Sequence, residues 1–510
     1  MMRVTNAMIY NNAVFNLELQ TQSLLDVNNQ VSSGKRVNSP ADDPVAIGQI
    51  LNLQASNGAM TKYAALGRQA NASLSMADGA LSSLSSLVVS AQSLMVQAAS
   101  SATNNPSSLA AAAQTVDNMI GQAIQVGNAK IGDQYIFGGT ATSAPPINQN
   151  GLFTGNATEI NIDINAGASI QSNIFGSDFL AANLNPALDA GAANPTPLSA
   201  LRGGAGIGAT PAQFTITDRA GAATAVNVAA GGDLNAVISA INGGAANVTA
   251  SVSKDGRSIK IVDNNGTNAS GPLTITDVVG TAAAGLGIAG SRNAASFSGD
   301  SLNPAVTADT ALGDLLGGAG LTPGNITVAN GNASNTVSFA GAKTVGDLIN
   351  AINASPGLNA TAAINPVGNA LVITSNTPAT IAYATDIGTG TTAELLGIGG
   401  GRNLITTLQK FSAAMKADDQ AALRGMMPNI QSALNAVSFS RGVVGGRINQ
   451  ITSTATQLTN YQAANSVQLS NVQDADMAKV LTQLAQLQLS YQATSQVTAK
   501  LLQPGLMSYL

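Results

Sequence analysis

Of the 510 residues only 21 are Lys or Arg and 26 Asp or Glu, aromatics are 10 Phe and 7 Tyr, and there is no Cys, His or Trp. That removes the imidazole base, the Ser-His and Cys-His pairs, the thiolate and the usual nitrogen-and-sulfur zinc sites. A net charge of −5 describes neither a basic nucleic-acid binder nor an acidic disordered chain.

No window approaches the roughly 18 consecutive apolar residues of a membrane span, and the start, Met1-Met2-Arg3-Val4-Thr5-Asn6, lacks the apolar run of a signal peptide. The expectation is no membrane contact and no cleaved leader. Zero cysteine fits the cytosol or a protein exported unfolded, and the length suggests about three domains.

Positions 7, 10, 14, 17, 21, 24, 28 and 31 alternate steps of three and four and read Ala, Tyr, Val, Leu, Thr, Leu, Asn, Val, an imperfect heptad seam ending at Ser33-Gly34. Asp42-Asp43-Pro44 announces a second helix through an acidic cap and a first-turn proline. Its heptad positions 60, 63, 67, 70, 74, 77, 81, 84, 88, 91, 95 and 98 read Met, Tyr, Gly, Ala, Leu, Ala, Leu, Leu, Val, Ala, Met, Ala. Continuous to Ser101, this helix would be roughly 87 Å long, a length suited to a rod. Pro106-Ser107 restarts a third helix with Leu109, Ala113, Val116, Ile120, Ala123 and Val126 on one face, ending near Gly132.

Between Pro145 and Pro378 lie 12 of the 17 prolines, and segment 141–402 holds 15 acidic residues against 8 basic ones. Rich in Gly, Asn, Val and Thr, it reads as strands and turns. A β segment at 152–175 contains Ile160-Asn161-Ile162-Asp163-Ile164. An internal duplication follows. Gly203-Gly204-Ala205-Gly206-Ile207 recurs as Gly317-Gly318-Ala319-Gly320-Leu321. Asp233-Leu234-Asn235-Ala236-Val237-Ile238-Ser239-Ala240-Ile241-Asn242 resembles Asp347-Leu348-Ile349-Asn350-Ala351-Ile352-Asn353, and Leu286-Gly287-Ile288 before Arg292-Asn293 resembles Leu396-Gly397-Ile398 before Arg402-Asn403. The spacing, about 110 residues, exceeds any solenoid unit and means a duplicated small domain. Each copy carries strands, one short helix and a later strand pair, as at the hairpin signal Lys254-Asp255-Gly256-Arg257.

The chain then returns to helix, opening with Leu404, Ile405, Leu408 and Phe411 and running from Ile430 to Leu469. After Asp474 and Asp476, a terminal helix has heptad positions 477, 480, 484, 487, 491, 494, 498 and 501 reading Met, Val, Leu, Leu, Tyr, Thr, Thr, Leu, until Gln503-Pro504. The expected domains are a helical segment 1–140, a β-rich segment 141–198, α+β modules at 199–294 and 295–402, and a helical segment 403–510.

An Ala methyl buries about 0.8 kcal/mol and a Leu about 1.5 to 3, so Ala-rich, Thr-interrupted seams gain little from one helix pair. They predict terminal helices that order against neighbouring subunits. The expected assembly contacts are Val14, Leu17, Leu24 and Val31 in the first seam and Val480, Leu484, Leu487 and Leu501 in the last. The same seams read equally as an intramolecular core, because a heptad does not name its partner.

The shorter motifs favour plain readings. Gly285-Leu286-Gly287-Ile288-Ala289-Gly290 satisfies GxGxxG but sits at a repeat end with no amphipathic helix after it, which suits a turn better than a dinucleotide site. Asp263-Asn264-Asn265-Gly266 lacks the later glutamate of a calcium loop, and Asn247-Val248-Thr249 and Asn268-Ala269-Ser270 match only the glycosylation triplet. No catalytic, metal-binding or cofactor-binding residue is expected, and no cofactor.

Arg3-Val4-Thr5-Asn6 with Ser33-Gly34-Lys35-Arg36-Val37-Asn38-Ser39-Pro40-Ala41-Asp42-Asp43-Pro44 resembles the N-terminal signature of the bacterial flagellin superfamily. Tyr135-Ile136-Phe137-Gly138-Gly139-Thr140 resembles that family's exit from its helical rod. Val444-Gly445-Gly446-Arg447-Ile448-Asn449, Asp474-Ala475-Asp476-Met477-Ala478 and Gln503-Pro504-Gly505-Leu506-Met507-Ser508-Tyr509-Leu510 resemble its tail. The Asp-Asp-Pro and the Gln-Pro look more like the family's hook-filament junction branch than like filament flagellin. The duplicated middle makes this chain larger than a minimal junction protein.

The resemblance implies an α+β multidomain fold whose N- and C-terminal long helices pair as a coiled-coil-like rod, with β-rich inserted outer domains. It implies a structural role in the extracellular flagellum at the hook-filament junction, and passage through the flagellar export apparatus. The implied partners are neighbouring copies of itself, another hook-associated protein, flagellin and an export chaperone, with no nucleic acid and no membrane. Filament flagellin, or a flagellar surface protein whose middle modules bind a ligand such as a glycan, are the alternatives.

Overall fold

The computed structural model describes residues 6–100, 105–266 and 271–502. It divides into two bodies, one holding residues 1–69, 163–169 and 450–510, the other 70–162 and 170–449. The motifs at Arg3-Val4-Thr5, Asn268-Ala269-Ser270 and Gln503 to Leu510 lie outside the described residues.

The N-terminal helices are α1 (Asn6–Ser33), α2 (Pro44–Ala99) and α3 (Pro106–Gly127). Gly34 ends α1 at φ +69°, the left-handed stop that only glycine takes without strain. Asn105 caps α3 by accepting from the Ser108 amide at 2.7 Å, while Ser108 reaches back to the Asn105 amide, and Pro106 supplies the pre-set first turn. In the second body Ala70, Leu74, Ala77, Leu81, Leu84, Val88, Ala91, Met95 and Ala98 are all buried, so the heptad face is there a packed core. By length and composition α2 is nevertheless long and apolar enough to cross a membrane, although its apolar residues form no unbroken run.

Strands β1 (Lys130–Ile131) and β2 (Gln134–Tyr135) pair where α3 has ended, five residues earlier than the expected Gly132. Strands β3 (Asn161–Asn165) and β4 (Ala168–Gln171) form a second ribbon. The first α+β module then runs through β5 (Ala212–Thr217), β6 (Ala223–Val228), α4 (Leu234–Asn242), β7 (Val248–Val252), β8 (Ile259–Asp263), β9 (Leu273–Val279), α5 (Ala282–Gly285), β10 (Gly290–Arg292) and β11 (Ser296–Ser298). Its sheets have the orders β10-β9-β5-β6 and β11-β8-β7. The second module repeats the plan with β12 (Ile326–Asn330), β13 (Ala333–Val337), α6 (Val345–Asn353), β14 (Ala360–Ile364), β15 (Leu371–Ser375), β16 (Ala382–Asp386) and α7 (Thr392–Leu396), in sheets β13-β12-β16 and β14-β15.

The repeat extends to individual hydrogen bonds. Asn242 exchanges two bonds with the Ala250 backbone, and Asn353 does the same with Ala362. The Asp277 carboxylate accepts the amides of Ala283 and Ala284 at the start of α5, and Asp386 accepts those of Ala393 and Glu394 at α7. In β5 and β6 alternate residues are buried, as a one-sided sheet requires. Each module buries its own core, around Phe214, Val237 and Ile261 in the first and Val328, Leu348 and Ile373 in the second. The first core includes Leu302, and β11 pairs with β8, so residues 295–302 pack with the first module rather than opening the second.

Two short segments cross between the modules. Leu184 and Asn185 accept from the Leu316 and Gly317 amides of the second, and Leu188 donates to Gly256 of the first. Leu302 and Asn303 accept from Arg202 and Gly203 of the first, and Val306 donates to Gly368 of the second. Both are Leu-Asn-Pro-Ala, with the asparagines at φ +41° and +37°, a conformation asparagine tolerates better than most side chains.

The chain ends in α8 (Leu404–Lys416), α9 (Gln420–Gly425), α10 (Met427–Gln473) and α11 (Met477–Leu502). In the second body α8 packs on α3, burying Leu404, Leu408, Phe411 and Met415 from α8 and Leu109, Ala113 and Val116 from α3. The Lys416 ammonium pairs with Asp117 at 2.7 Å. The molecule is thus an α+β multidomain protein with long helices at both ends and a duplicated α+β module between them.

Candidate assembly interface

The turn after α1 and the turn before α11 meet in the first body. Lys35 and Asp474 form a β-bridge, the Arg36 amide donates to the Gln473 carbonyl at 2.7 Å, and the Ala475 amide donates to the Gly34 carbonyl at 3.0 Å. The Arg36 guanidinium donates to the Val472 carbonyl at 2.9 Å and to the Asp43 carboxylate at 3.2 Å. Beneath lies a small core of Val37, Ala46 and Ile50, with Ile47, Leu469 and Val472 against it.

The paired carboxylates brace this turn. Asp43 accepts the Ala46 amide at 3.0 Å and caps α2, as the sequence predicts; that amide, then Arg36, holds its carboxyl below the ordinary range. Asp42 accepts the amides of Asn38 and Ser39, both at 2.8 Å, which likewise lower its carboxyl. At the other turn Asp476 accepts the amides of Ala478 and Lys479 and starts α11. The polar residues of the two turns therefore fix where the ends of the helices flanking them meet.

From that joint α1 packs along α11. Leu17, Leu24 and Val31 of α1 are half-buried, and so are Leu484 and Leu487 of α11, while Val480 is buried. Val14 departs from the expected seam: it is 40% exposed, and the half-buried positions alternating with 17, 24 and 31 are Ala13, Gln20 and Val27. Both choices keep the three-four spacing, so spacing alone does not say which of the two neighbours faces α11. Gln20 holds its place through polar contacts, its amide donating to Ser490 at 3.2 Å and Thr494 at 3.1 Å. The Leu501 side chain lies outside the described residues.

Several large apolar side chains on the pair point to solvent. On α1 they include Met8, Phe15 and Leu19, and on α11 Leu481, Leu489 and Val497. Seven and four residues apart, Met8, Phe15 and Leu19 share one face of α1, away from the seam. None of the described α1 side chains is fully buried.

The motifs weighed for chemistry have structural roles. A Cβ at Gly285 would lie 2.1 Å from the Ile207 carbonyl, so that glycine permits a close backbone approach. The Asp263 carboxylate accepts the Arg219 and Asn265 amides at 2.7 and 2.9 Å.

The bacterial flagellin N-terminal helical region matches residues 4–142 and the bacterial flagellin C-terminal helical region residues 427–510. The flagellar hook-associated protein 3 of Salmonella typhimurium is 28% identical over 149 residues, 29% of this chain and 47% of that protein. The hook-associated protein 3 of Escherichia coli is 26% identical over 171 residues, 33% of this chain and 54% of that protein. The chain thus spans about half the length of the curated relatives it matches. The crystal structure of FlgL from Xanthomonas campestris superposes with a TM-score of 0.36 at 12% identity, covering 82% of this chain and 99% of that one. Both helical regions of the bacterial flagellin family are thus matched, in their order, at the two ends of the chain.

Proposed function

We propose that this chain is a non-catalytic structural component of the bacterial flagellum that joins hook to filament. Its nearest partners are further copies of itself, flanked by another hook-associated protein on one side and flagellin on the other, after export with a chaperone on its C-terminal helix. The curated relatives, both hook-associated protein 3, support the junction over the filament. The observation that carries the assembly reading is the half-buried α1–α11 seam with Phe15, Leu19, Leu481 and Leu489 turned outward. The seam residues Leu17, Leu24, Val31, Val480, Leu484 and Leu487 hold the pair, and Val14 joins the outward set that neighbouring subunits cover.

Immunogold labelling of intact flagella tests this. A single band at the hook end is expected; label along the whole filament, or purified chain polymerising alone into long tubes, would make it a filament subunit instead. In cells producing the Phe15→Ser/Leu19→Ser variant, exported protein should fail to support filament growth. Normal filaments would remove the assembly role of this face.

A further inference from the structure

A cleft of about 460 Å³ opens in the second body between residues 171–178, the α7 region and one face of α10. Asn435, Phe439 and Val443 advance by four along that helix, so they line one wall together. Arg447 on the same helix donates to the Asn173 carbonyl at 2.8 Å and to the Gln171 side-chain oxygen. Opposite, Arg402 Nε lies 3.9 Å from Glu394 Oε1.

Asp178 projects between them and makes no ion pair among the described residues. Burial holds its carboxyl above the ordinary range, against the pull of Arg402, the Phe175 amide and Arg447. Glu394 is raised in the same way, by burial first. A second cleft of about 480 Å³ shares Phe175, Asp178 and Arg402 with the first, so these residues stand where two ligand-sized compartments join.

The lining chemistry selects the ligand class. In the first cleft two carboxylates and two guanidiniums balance, and the second adds Glu159, Asp255 and Arg257, so the joined compartments offer little net charge to a phosphate or a metal cation. Guanidinium groups only donate hydrogen bonds and carboxylates only accept them, whereas a hydroxyl does both. Neighbouring hydroxyls therefore satisfy an Arg and an Asp side by side, with charge-assisted bonds. At the mouth Phe439 is 75% exposed, an apolar ring of the kind that covers a flat, C–H-rich face. We propose that this cleft binds an uncharged oligosaccharide, with Asp178 and Arg402 gripping hydroxyls where the compartments meet and Phe439 lying against a sugar ring. The site draws on α10 and the 171–178 segment, so the duplicated modules alone do not contain it.

The test is a printed glycan array probed with the full-length chain, followed by calorimetry on the glycan retained most strongly. Neutral glycans of two or more sugars are expected to be retained, with an affinity that holds between about 0.1 and 1 M salt, where exposed charge contacts are screened. Asp178→Asn and Phe439→Ala should each weaken binding at least about tenfold, equivalent to about 1.4 kcal/mol, with an unchanged circular dichroism spectrum. Retention of no glycan, retention of charged glycans alone, or an unchanged affinity in either variant overturns the proposal.

Discussion

The two copies of the α+β module close the same strand edge by different means. In the first, β9 is flanked by β10, which returns antiparallel and pairs Gly290 with Ile275 and Arg292 with Leu273. In the second, the chain leaves for α8 after Arg402-Asn403, and helical side chains meet the equivalent strand β16. Lys410 Nζ donates to the Ala382 carbonyl at 2.8 Å, Asn429 Nδ2 donates to the Ala384 carbonyl at 2.9 Å, and the Asp419 carboxylate accepts the Ile381 amide at 3.0 Å. An open edge leaves backbone groups that must be satisfied. The first copy supplies them from its own sequence; the second borrows them and becomes part of the helical region.

The largest expected effect comes from removing the support under the borrowed edge. Phe411 is fully buried on α8, one residue from Lys410, so Phe411→Ala should destabilise by about 3 to 5 kcal/mol, read as a lowered urea midpoint. Amide exchange should accelerate in β16 and stay protected in β9 and β10. Equal acceleration in both copies would show that the second module is no more dependent on the helices than the first. Asn429→Ala is next, since it strands the Ala384 carbonyl beside a buried site, and a loss of about 1 to 3 kcal/mol is expected. Ser291→Ala in the exposed β10, whose hydroxyl touches Thr274 at 3.1 Å, should stay within about 0.5 kcal/mol.

The sequence made the common part of the two copies legible and left the difference hidden. The Gly-Gly-Ala-Gly turns and the Asp-Leu helices repeat visibly because they serve the interior of each module. Lys410, Asp419 and Asn429 have no counterpart to compare with, and their partners lie up to 45 residues away. The crossing Leu-Asn-Pro-Ala segments stand apart from the visible repeat because one precedes the first copy and the other ends it. In α2 every seam position from Ala70 to Ala98 was readable, since its apolar residues face a dense core. In α1, where no described side chain is fully buried, composition could not separate Val14 from Ala13. The cleft beside Asp178 joins residues from Gln171 to Arg447, a juxtaposition that only the fold creates.

Lys410 gives the difference a pH signature. Part of its side chain reaches solvent, but the ammonium sits against carbonyls without a counter-ion among the described residues, and desolvation lowers its pKa from 10.5 to about 8. The unfolded chain therefore holds this proton more tightly than the folded one. The cost of burial is full below pH 8 and is relieved as pH rises toward 10.5, so this residue makes stability increase across that window, by at most about 1.4 kcal/mol per pH unit. Chemical denaturation of the wild type and Lys410→Met at pH 7.5, 9 and 10 should show the difference between them shrinking in favour of the wild type as pH rises. Parallel curves would mean that the ammonium is solvated and that the edge is closed by Asn429 and Asp419.

The helix caps test what the copies share. Asp277 and Asp386 each accept two amides at the start of a short helix, at 2.6 and 3.1 Å in the first copy and 2.7 and 3.0 Å in the second. Alanine at either position removes the same kind of cap, for which about 1 kcal/mol is the usual loss. The two variants should therefore agree within about 0.5 kcal/mol, the range over which independent sites remain additive, and the double variant should lose their sum. A markedly larger loss at Asp386 would extend the helical dependence of the second copy from its strand edge to α7. The difference between the modules would then lie in how their caps are supported as well as in what covers β16.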